Sequence, residues 1–568
     1  MKNSGTLKIN WTDLYDSDNL SLTKYIESNS RKIKKEIFHF IKKLKCKNKS
    51  LNFYDINLWE MSSISELNSY KTRGINDIIK FFTLIILLDE HKPKKLILVN
   101  VDSKIKKLIV KSNIKNQIKI QFENTIKSNS SIKQIIPNIL KGIFFYINFI
   151  RTNFHSLFFS PQSKSFQKYD VILVGYFANF EKDEIINNKK TSKSWGKLPS
   201  LLKEHNITPY FLNIFTKSKL FPKSKKAHQF LKNDLNHGFV YSYINLKDLI
   251  QIFIYYIKFY FRYNEAVKKI EKDFIFSGYN LFYFFEAEVQ KSLKGSILLD
   301  NLIWIKSFKN FFESIKTKIN LIYVQENQSL EIPLNKFFKK TNTGKLIAWQ
   351  NQFIRKWDLR YYYKFDKSFS PDYFLINSYY SKKLYLDYGY PDNRIYEIEH
   401  LRYQNSSSNK FQNISKNSIL ILGDYDLNDT YRLIFDLTDE LKDIFEKVAI
   451  KCHPSKKLSS KILKKYNILL EEENLDYLIY KYEYFIATNS SGAVIDLALK
   501  GKTPLVYIPD YKLNNSPLGD YEEIMVRNKD ELLLKIKSIK SRKFLLKKMI
   551  YFDESHKKFK KFIKMLFI

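Results

Sequence analysis

Ile450-Lys451-Cys452-His453-Pro454-Ser455 and Phe485-Ile486-Ala487-Thr488-Asn489-Ser490-Ser491-Gly492-Ala493-Val494-Ile495-Asp496 share one grammar: a short apolar run, a polar turn, then a helical pattern. Around them, residues 418–422 read as a buried strand closed by Gly423, 448–451 as a second ending at His453, 484–487 as a third and 505–508 as a fourth. Strands of this kind, alternating with helical segments, predict a doubly wound α/β domain. Ligands of such sheets sit beyond the carboxyl ends of the strands. His453 and the Asn489-Ser490-Ser491-Gly492 turn both fall there.

The second turn has chemistry of its own. Ser490 or Ser491 is an N-cap candidate for the helix that follows, and Gly501 is its natural stop. A helix N-terminus presents free N–H groups and a partial positive charge, which suits a phosphate. The small side chains of Ser490, Ser491, Gly492 and Ala493 permit close approach, and Gly423 does the same across the crevice. Asp496 is placed to accept from ribose hydroxyls, and His453, held by Pro454, to donate to the same phosphates. Singly, these features have plainer readings: a His-Pro after a strand is a turn, and a Ser-Ser before a helix is a cap. Their coincidence at the strand ends of one domain favours a nucleotide-sugar site.

In this order and setting, His453-Pro454 and Ser490-Ser491 resemble the HP and SS motifs of bacterial sialyltransferases, polysialyltransferases and capsule Kdo transferases. The run from Ser491-Gly492 through Asp496 and Gly501 to Pro504 resembles the donor-side signature of GT-B enzymes. Four further segments resemble a family of bacterial surface-carbohydrate biosynthesis proteins of the O-antigen (lipopolysaccharide) type. They are Leu58-Trp59-Glu60-Met61-Ser62-Ser63, Glu326-Asn327-Gln328, Trp357-Asp358-Leu359-Arg360-Tyr361 and Glu399-His400-Leu401-Arg402-Tyr403. The resemblance implies a GT-B-like α/β fold, two Rossmann-like domains facing a cleft, with extra helices in the N-terminal part. It also implies an acidic general base in the N-terminal domain. Glu326, in the polar turn after a strand read at 320–324, is the candidate. The Asp/Glu-Asp/Glu-Gly motif of the sialyltransferases is absent, and a glutamate capping the next helix is the alternative reading.

With 568 residues the chain has length for two or more domains. Lys+Arg 96 against Asp+Glu 58 gives a net charge of +38, which suits a polyanionic partner: a membrane surface, nucleic acid or a sugar phosphate. The charge is spread along the chain rather than gathered. Two cysteines, Cys46 and Cys452, make no disulfide framework, which points to a reducing cytoplasm. Residues 1–13 are polar and lack the apolar core of a signal peptide. No zinc spacing, P-loop or nucleic-acid motif is present, so no nucleic-acid partner is expected.

The order of elements predicts an acceptor-side α/β domain over 1–400, a Ser/Asn-rich linker over 401–417 and a donor-side domain over 418–568 with C-terminal helices. In the first, 33–44, 58–69 and 75–88 read as helices, and 95–101 and 118–122 as strands. Strands at 170–176, 210–214, 320–324 and 346–349 follow, with 372–376 as the last of this domain and a helix over 378–388. Arg355, Trp357, Asp358 and Arg360, after the strand at 346–349, are candidates for the acceptor, with a solvated charge run as the alternative. Asp424-Tyr425-Asp426 matches an Asp-x-Asp metal motif by form, but its place after the strand at 418–422 reads as a helix cap.

Helical insertions around 135–160 and 245–315 are rich in aromatic residues flanked by Lys and Arg. The uncharged core 142–150 is nine residues long, and a span needs about 20. An interfacial helix on anionic lipid and a core helix both fit.

These readings converge on a metal-independent, GT-B-like glycosyltransferase of surface-polysaccharide assembly. It is expected at the cytoplasmic face of the membrane, with a nucleotide sugar as substrate rather than cofactor and a lipid-linked or oligosaccharide acceptor. His453 and the helix N-terminus would stabilise the leaving phosphate without a metal. Alternatives are a glycerophosphate-type polymer transferase on the same fold, and a non-catalytic basic scaffold for anionic lipid or nucleic acid.

Overall fold

A computed structural model describes residues 5–11, 20–44, 51–69, 71–72, 74–114, 118–125, 137–159, 166–178, 180, 190–232, 234–364, 366, 368–402, 414–454, 456–509, 512–539, 551 and 553–567. Cys46, Tyr403, Ser455, Asp510, part of the segment 1–13 and most of the expected linker lie outside these residues.

Strands are numbered along the chain. The first sheet comprises β1 (Thr6–Asn10), β2 (Leu20–Ser21), β5 (Lys95–Val99) and β6 (Lys119–Glu123), in the order β2-β1-β5-β6. A hairpin, β3 (Asn52–Phe53) and β4 (Ile56–Asn57), stands apart from it. The second sheet has β7 (Val171–Phe177), β8 (Pro209–Phe215), β9 (His237–Phe239), β12 (Asn320–Val324), β13 (Leu346–Trp349), β14 (Tyr373–Ile376) and β15 (Ile395–Glu397). Its order is β15-β14-β13-β12-β7-β8-β9, with a separate ribbon β10 (Ile275–Phe276) and β11 (Tyr279–Asn280). The third has β16 (Ser415–Leu422), β17 (Lys447–Lys451), β18 (Leu469–Leu470), β19 (Tyr482–Thr488), β20 (Leu505–Tyr507) and β21 (Met525–Val526), in the order β18-β17-β16-β19-β20-β21. Every pairing in the three sheets is parallel.

Parallel strands must bury both faces, and the sequence supplies residues for both. Ile419 and Ile421 pack with Leu433, Ile434, Leu437 and Leu441 of the helix Leu427–Ile444, while Leu420 and Leu422 pack on the opposite face with Val494, Ile495 and Leu497. In β7, Ile172 and Val174 face the large core shared with the N-terminal helices, and Val171 and Leu173 face a second cluster. Phe559, Phe562 and Ile563 complete that cluster from the last helix, Lys557–Phe567. This helix therefore folds back onto the N-terminal half. Glu399 receives its first N–H groups, from Lys558 at 2.8 Å and Phe559 at 2.9 Å.

Two doubly wound parallel sheets with their helices make the GT-B-like, two-Rossmann arrangement expected from the sequence. The first sheet is an addition: β1 lies in a segment that reads as polar, and it gains its place by pairing with β5. Two further differences are local. Within 58–69 only Ser63–Glu66 is helical, and 372–376 is not the last strand, since β15 follows and pairs with β14.

Both sheets of the pair have a point where the strand order reverses. In the second sheet it falls between β7 and β12, and in the third between β16 and β19. Crevices open beyond the carboxyl ends of strands at such points.

Candidate active site

The crevice of the third sheet is bounded by the residues that follow β16 and β19. Asp424, 5% exposed, stands two residues past β16, and its Oδ2 accepts from Thr488 Oγ1 at 3.1 Å and from Ser490 Oγ at 2.5 Å. Its own N–H donates to Thr430 Oγ1 at 2.9 Å. Gly423 donates to Lys451 O at 2.9 Å, which ties the end of β16 to β17. His453 is half-buried after β17, edge-on to Tyr425 at 5.7 Å between ring centres. Burial draws its pKa below the usual histidine value, the Asp424 charge opposes this, and Lys456 adds to it. His453, Asp424, Thr488 and Ser490 therefore form one group, with exposed Pro454 beside it.

The helix after the Ser-Ser turn, Ala493–Leu499, differs from the expectation. Gly492 occupies its N-cap with no side-chain hydrogen bond, so neither Ser490 nor Ser491 caps it. The Ser490 hydroxyl is taken by Asp424, a stronger acceptor than any the turn offers, and Ser491 is buried with its N–H on Thr488 O at 3.2 Å. Gly501 does end the helix, with φ +75. Asn489 is buried and works on its neighbours: its Nδ2 donates to Leu513 O at 2.9 Å, and its Oδ1 accepts from Asn515 N at 2.9 Å. Asp496 stands apart from the His453 group. Burial pushes its carboxyl up to about 6, and its charged neighbours are Arg402, Asp476 and Lys500.

The crevice of the second sheet holds Glu326, two residues past β12. Its Oε1 accepts from Gln352 Nε2 at 3.1 Å, its Oε2 accepts from Gln328 Nε2, and Arg360 Nη1 lies 3.8 Å from Oε2. Arg360 is buried and paired to Asp358 through two bonds, Nε to Oδ1 at 2.8 Å and Nη2 to Oδ2 at 2.6 Å. Burial works against this guanidinium, but the Asp358 carboxylate outweighs it and holds the pKa well above its usual value. Glu331 Oε1 accepts from the N–H groups of Glu326 at 2.8 Å and Gln328 at 3.0 Å, which shapes the turn that carries Glu326. The alternative in which Glu326 caps the next helix is not what forms: Leu330 stands at that N-cap, with no side-chain hydrogen bond.

Behind Glu326 lies a layer of buried charge. Glu66 pairs with Lys71 at 2.9 Å and Lys364 donates to Asn327 O at 2.6 Å. Burial raises the Asp300 carboxyl to about 6. None of Glu66, Lys71, Glu331 and Lys364 stands out in the sequence, because nothing local marks which charged residues gather beside this turn.

The four acceptor candidates divide. Arg355 reaches across to the third sheet, where its Nη2 donates to Ser490 O at 2.9 Å. Arg360 and Asp358 act as one buried pair beside Glu326. Trp357, only 2% exposed, donates Nε1–H to Glu27 Oε1 at 2.8 Å and carries Lys34 over its ring at 4.7 Å. Its ring is enclosed and so presents no open face to an acceptor. The loop 350–355 after β13 thus touches both crevices: Gln352 holds Glu326, and Arg355 holds the Ser490 turn. Asp424 is the principal residue missed by the sequence reading. The signal was present, a carboxylate just past an apolar strand, but only Asp426 proves to be the helix cap, accepting from Asn428 N at 3.0 Å.

No family model matches the sequence, and no curated protein matches it. Among solved structures, the chain is similar to a UDP-GlcNAc 2-epimerase from Neisseria meningitidis bound to UDP-GlcNAc, at 12% identity and a TM-score of 0.37, over 65% of this chain and 90% of that one. It is also similar to the UDP-N-acetylglucosamine 2-epimerase from Rickettsia bellii, at 10% and 0.36 over 66% and 89%. A glycosyltransferase from Rickettsia africae gives 12% and 0.32 over 71% and 93%. At such TM-scores the reading of function rests on the residues themselves.

Proposed function

We propose that the chain is a metal-independent GT-B-type glycosyltransferase of surface-polysaccharide assembly, moving a sugar from a nucleotide-sugar donor to a lipid-linked or oligosaccharide acceptor. The observation that carries this reading is the loop 350–355, which joins the reversal points of two doubly wound sheets through Gln352 to Glu326 and through Arg355 to Ser490. A ligand lying there meets Glu326 on one side and the His453, Asp424 and Ser490 group on the other.

In this reading the donor phosphates lie at His453 and the Ser490-Ser491 turn. His453, kept neutral by burial, contributes a hydrogen bond rather than charge, and the Arg355 guanidinium supplies the positive charge. The acceptor hydroxyl oxygen attacks the anomeric carbon, the bond to the nucleotide phosphate breaks, and the hydroxyl proton passes to Glu326. Gln328, Gln352 and Arg360 hold that carboxylate in place. The division into an acceptor-side part, 1–400, and a donor-side part, 418–568, belongs to the same reading. So does a place at the cytoplasmic face of the membrane, where a lipid-linked acceptor is met.

Thermal melts with CMP, CDP, UDP, GDP and dTDP test it. A ligand at a hundredfold its Kd stabilises the fold by about 2.7 kcal/mol, so one nucleotide should raise the melting temperature by several degrees. His453→Ala and the double variant Ser490→Ala/Ser491→Ala should lose that rise, each measured against its own melting temperature without ligand. Stabilisation by no nucleotide, or by one that both variants retain, would refute the donor site.

A further inference from the structure

We infer that the outer face of the helices Asn138–Phe158 and Leu246–Glu271 is a docking surface for an anionic bilayer. The two helices run antiparallel on the buried helix Ser296–Ser314. Tyr146 Oη donates to Leu249 O at 2.7 Å, Tyr256 Oη donates to Ile139 O at 3.3 Å, and the Tyr146 and Phe253 rings stack at 5.7 Å. Their inner faces bury Tyr146, Phe149 and Leu157 from one helix, and Leu249, Ile252 and Tyr256 from the other. Core packing therefore accounts for one face only.

The opposite face is apolar as well. Leu140, Phe144, Ile147, Phe154 and Phe158 stand exposed at helical spacing on the first helix, with Phe144 at 62%. Leu246, Ile250, Ile254 and Phe261 do so on the second, with Phe261 at 76%. Single exposed apolar side chains are ordinary on a soluble surface, but ordered stripes on two adjacent helices are not.

The charges beside the stripes decide the occupant. Arg151 lies within the first stripe, and Lys141, Lys247, Lys258 and Arg262 flank the two. The first helix carries no Asp or Glu. Up to Arg262 the second carries only Asp248, which is buried and paired with Lys306 at 3.0 Å. Beyond Arg262 the exposed Glu265 pairs with Lys269 at 2.9 Å, so cations outnumber anions along the apolar band, which matches acyl chains beneath anionic headgroups. A second copy of this chain would bring like charges together. Among the described residues no helix is long and apolar enough to cross a membrane, so the pair lies in the interface. This surface stands apart from the crevices and does not depend on the glycosyltransferase reading.

Flotation of the full chain with vesicles of phosphatidylcholine, alone or mixed with phosphatidylglycerol, tests the inference. The parent should float with the mixed vesicles, weakly with the neutral ones, and retain part of its binding when salt rises from about 0.1 M to about 1 M. The double variant Phe144→Glu/Ile254→Glu alters exposed side chains and should melt like the parent while binding at least about tenfold more weakly. Unchanged binding by the double variant would assign attachment to diffuse charge and overturn the surface. So would absence of flotation by the parent. Light scattering that finds the parent dimeric and the variant monomeric would make the face a self-interface instead.

Discussion

Glu331 shows how one buried carboxyl shapes the turn that carries another. Its side chain is buried, and it holds the N–H groups of Glu326 and Gln328. Burial pushes its carboxyl above the usual range. A folded pKa above the unfolded value means that stabilisation by the neutral form is complete below about pH 4.5 and is lost as pH rises through the folded pKa. Glu331→Gln keeps an oxygen to accept both N–H groups and removes the ionisation. Its melting temperature relative to the parent should therefore climb between about pH 5 and about pH 9. Glu331→Ala leaves both N–H groups without that partner and should cost about 1–3 kcal/mol in urea denaturation. Glu326 was legible in the sequence as a carboxylate in the turn after an apolar strand; Glu331 was not, because nothing local distinguishes a buried glutamate from a solvated one. Asp424 falls between these cases, visible as a strand-end carboxylate yet given its partners only when β16 and β19 lie side by side.

The strands of the two doubly wound sheets were legible because parallel strands buried on both faces write continuous apolar runs, as in β7, β12 and β16. Short edge strands such as β2, β15 and β21 carry no such run and exist through their pairing. The aromatic helices left two readings open, since a helix apolar all round fits a core and a lipid surface equally. Core packing takes one face of each helix, and the other face stands exposed. Their close approach depends on Gly142, where a Cβ would lie 2.1 Å from Tyr256 Oη. Gly142→Val should force the pair apart and destabilise the protein by about 1–3 kcal/mol, measured by the urea midpoint. An unchanged midpoint would show that the pair is looser than described.

Across the whole molecule, specific contacts between distant segments join the halves. Arg355 reaches Ser490, Glu27 receives the N–H of Asn514 at 2.7 Å, and the last helix returns to the second sheet. His400 belongs to this joint: its ring stacks on Phe353 at 5.1 Å, and Phe353 packs against the core of the third sheet. Burial, with the nearby Arg402 charge, lowers its pKa to about 3. The unfolded chain then binds the proton more readily than the folded one. Its contribution is complete above about pH 6.5 and is lost as pH falls toward the folded value, on the order of 2 kcal/mol by about pH 4.5. His400→Phe should narrow the drop in melting temperature between about pH 7.5 and about pH 4.5, and an undiminished drop would place the acid sensitivity elsewhere. By itself the sequence determined the alternation of apolar runs and helices, and hence the doubly wound class and the turns at the carboxyl ends of its strands, because backbone periodicity and burial are local. Only the tertiary structure decided which of those turns meet, that Trp357 is enclosed while Arg355 crosses the cleft, and that Ser490 serves Asp424 rather than its helix. Hydrogen bonds and charge pairs between distant segments depend on distances that no local pattern encodes.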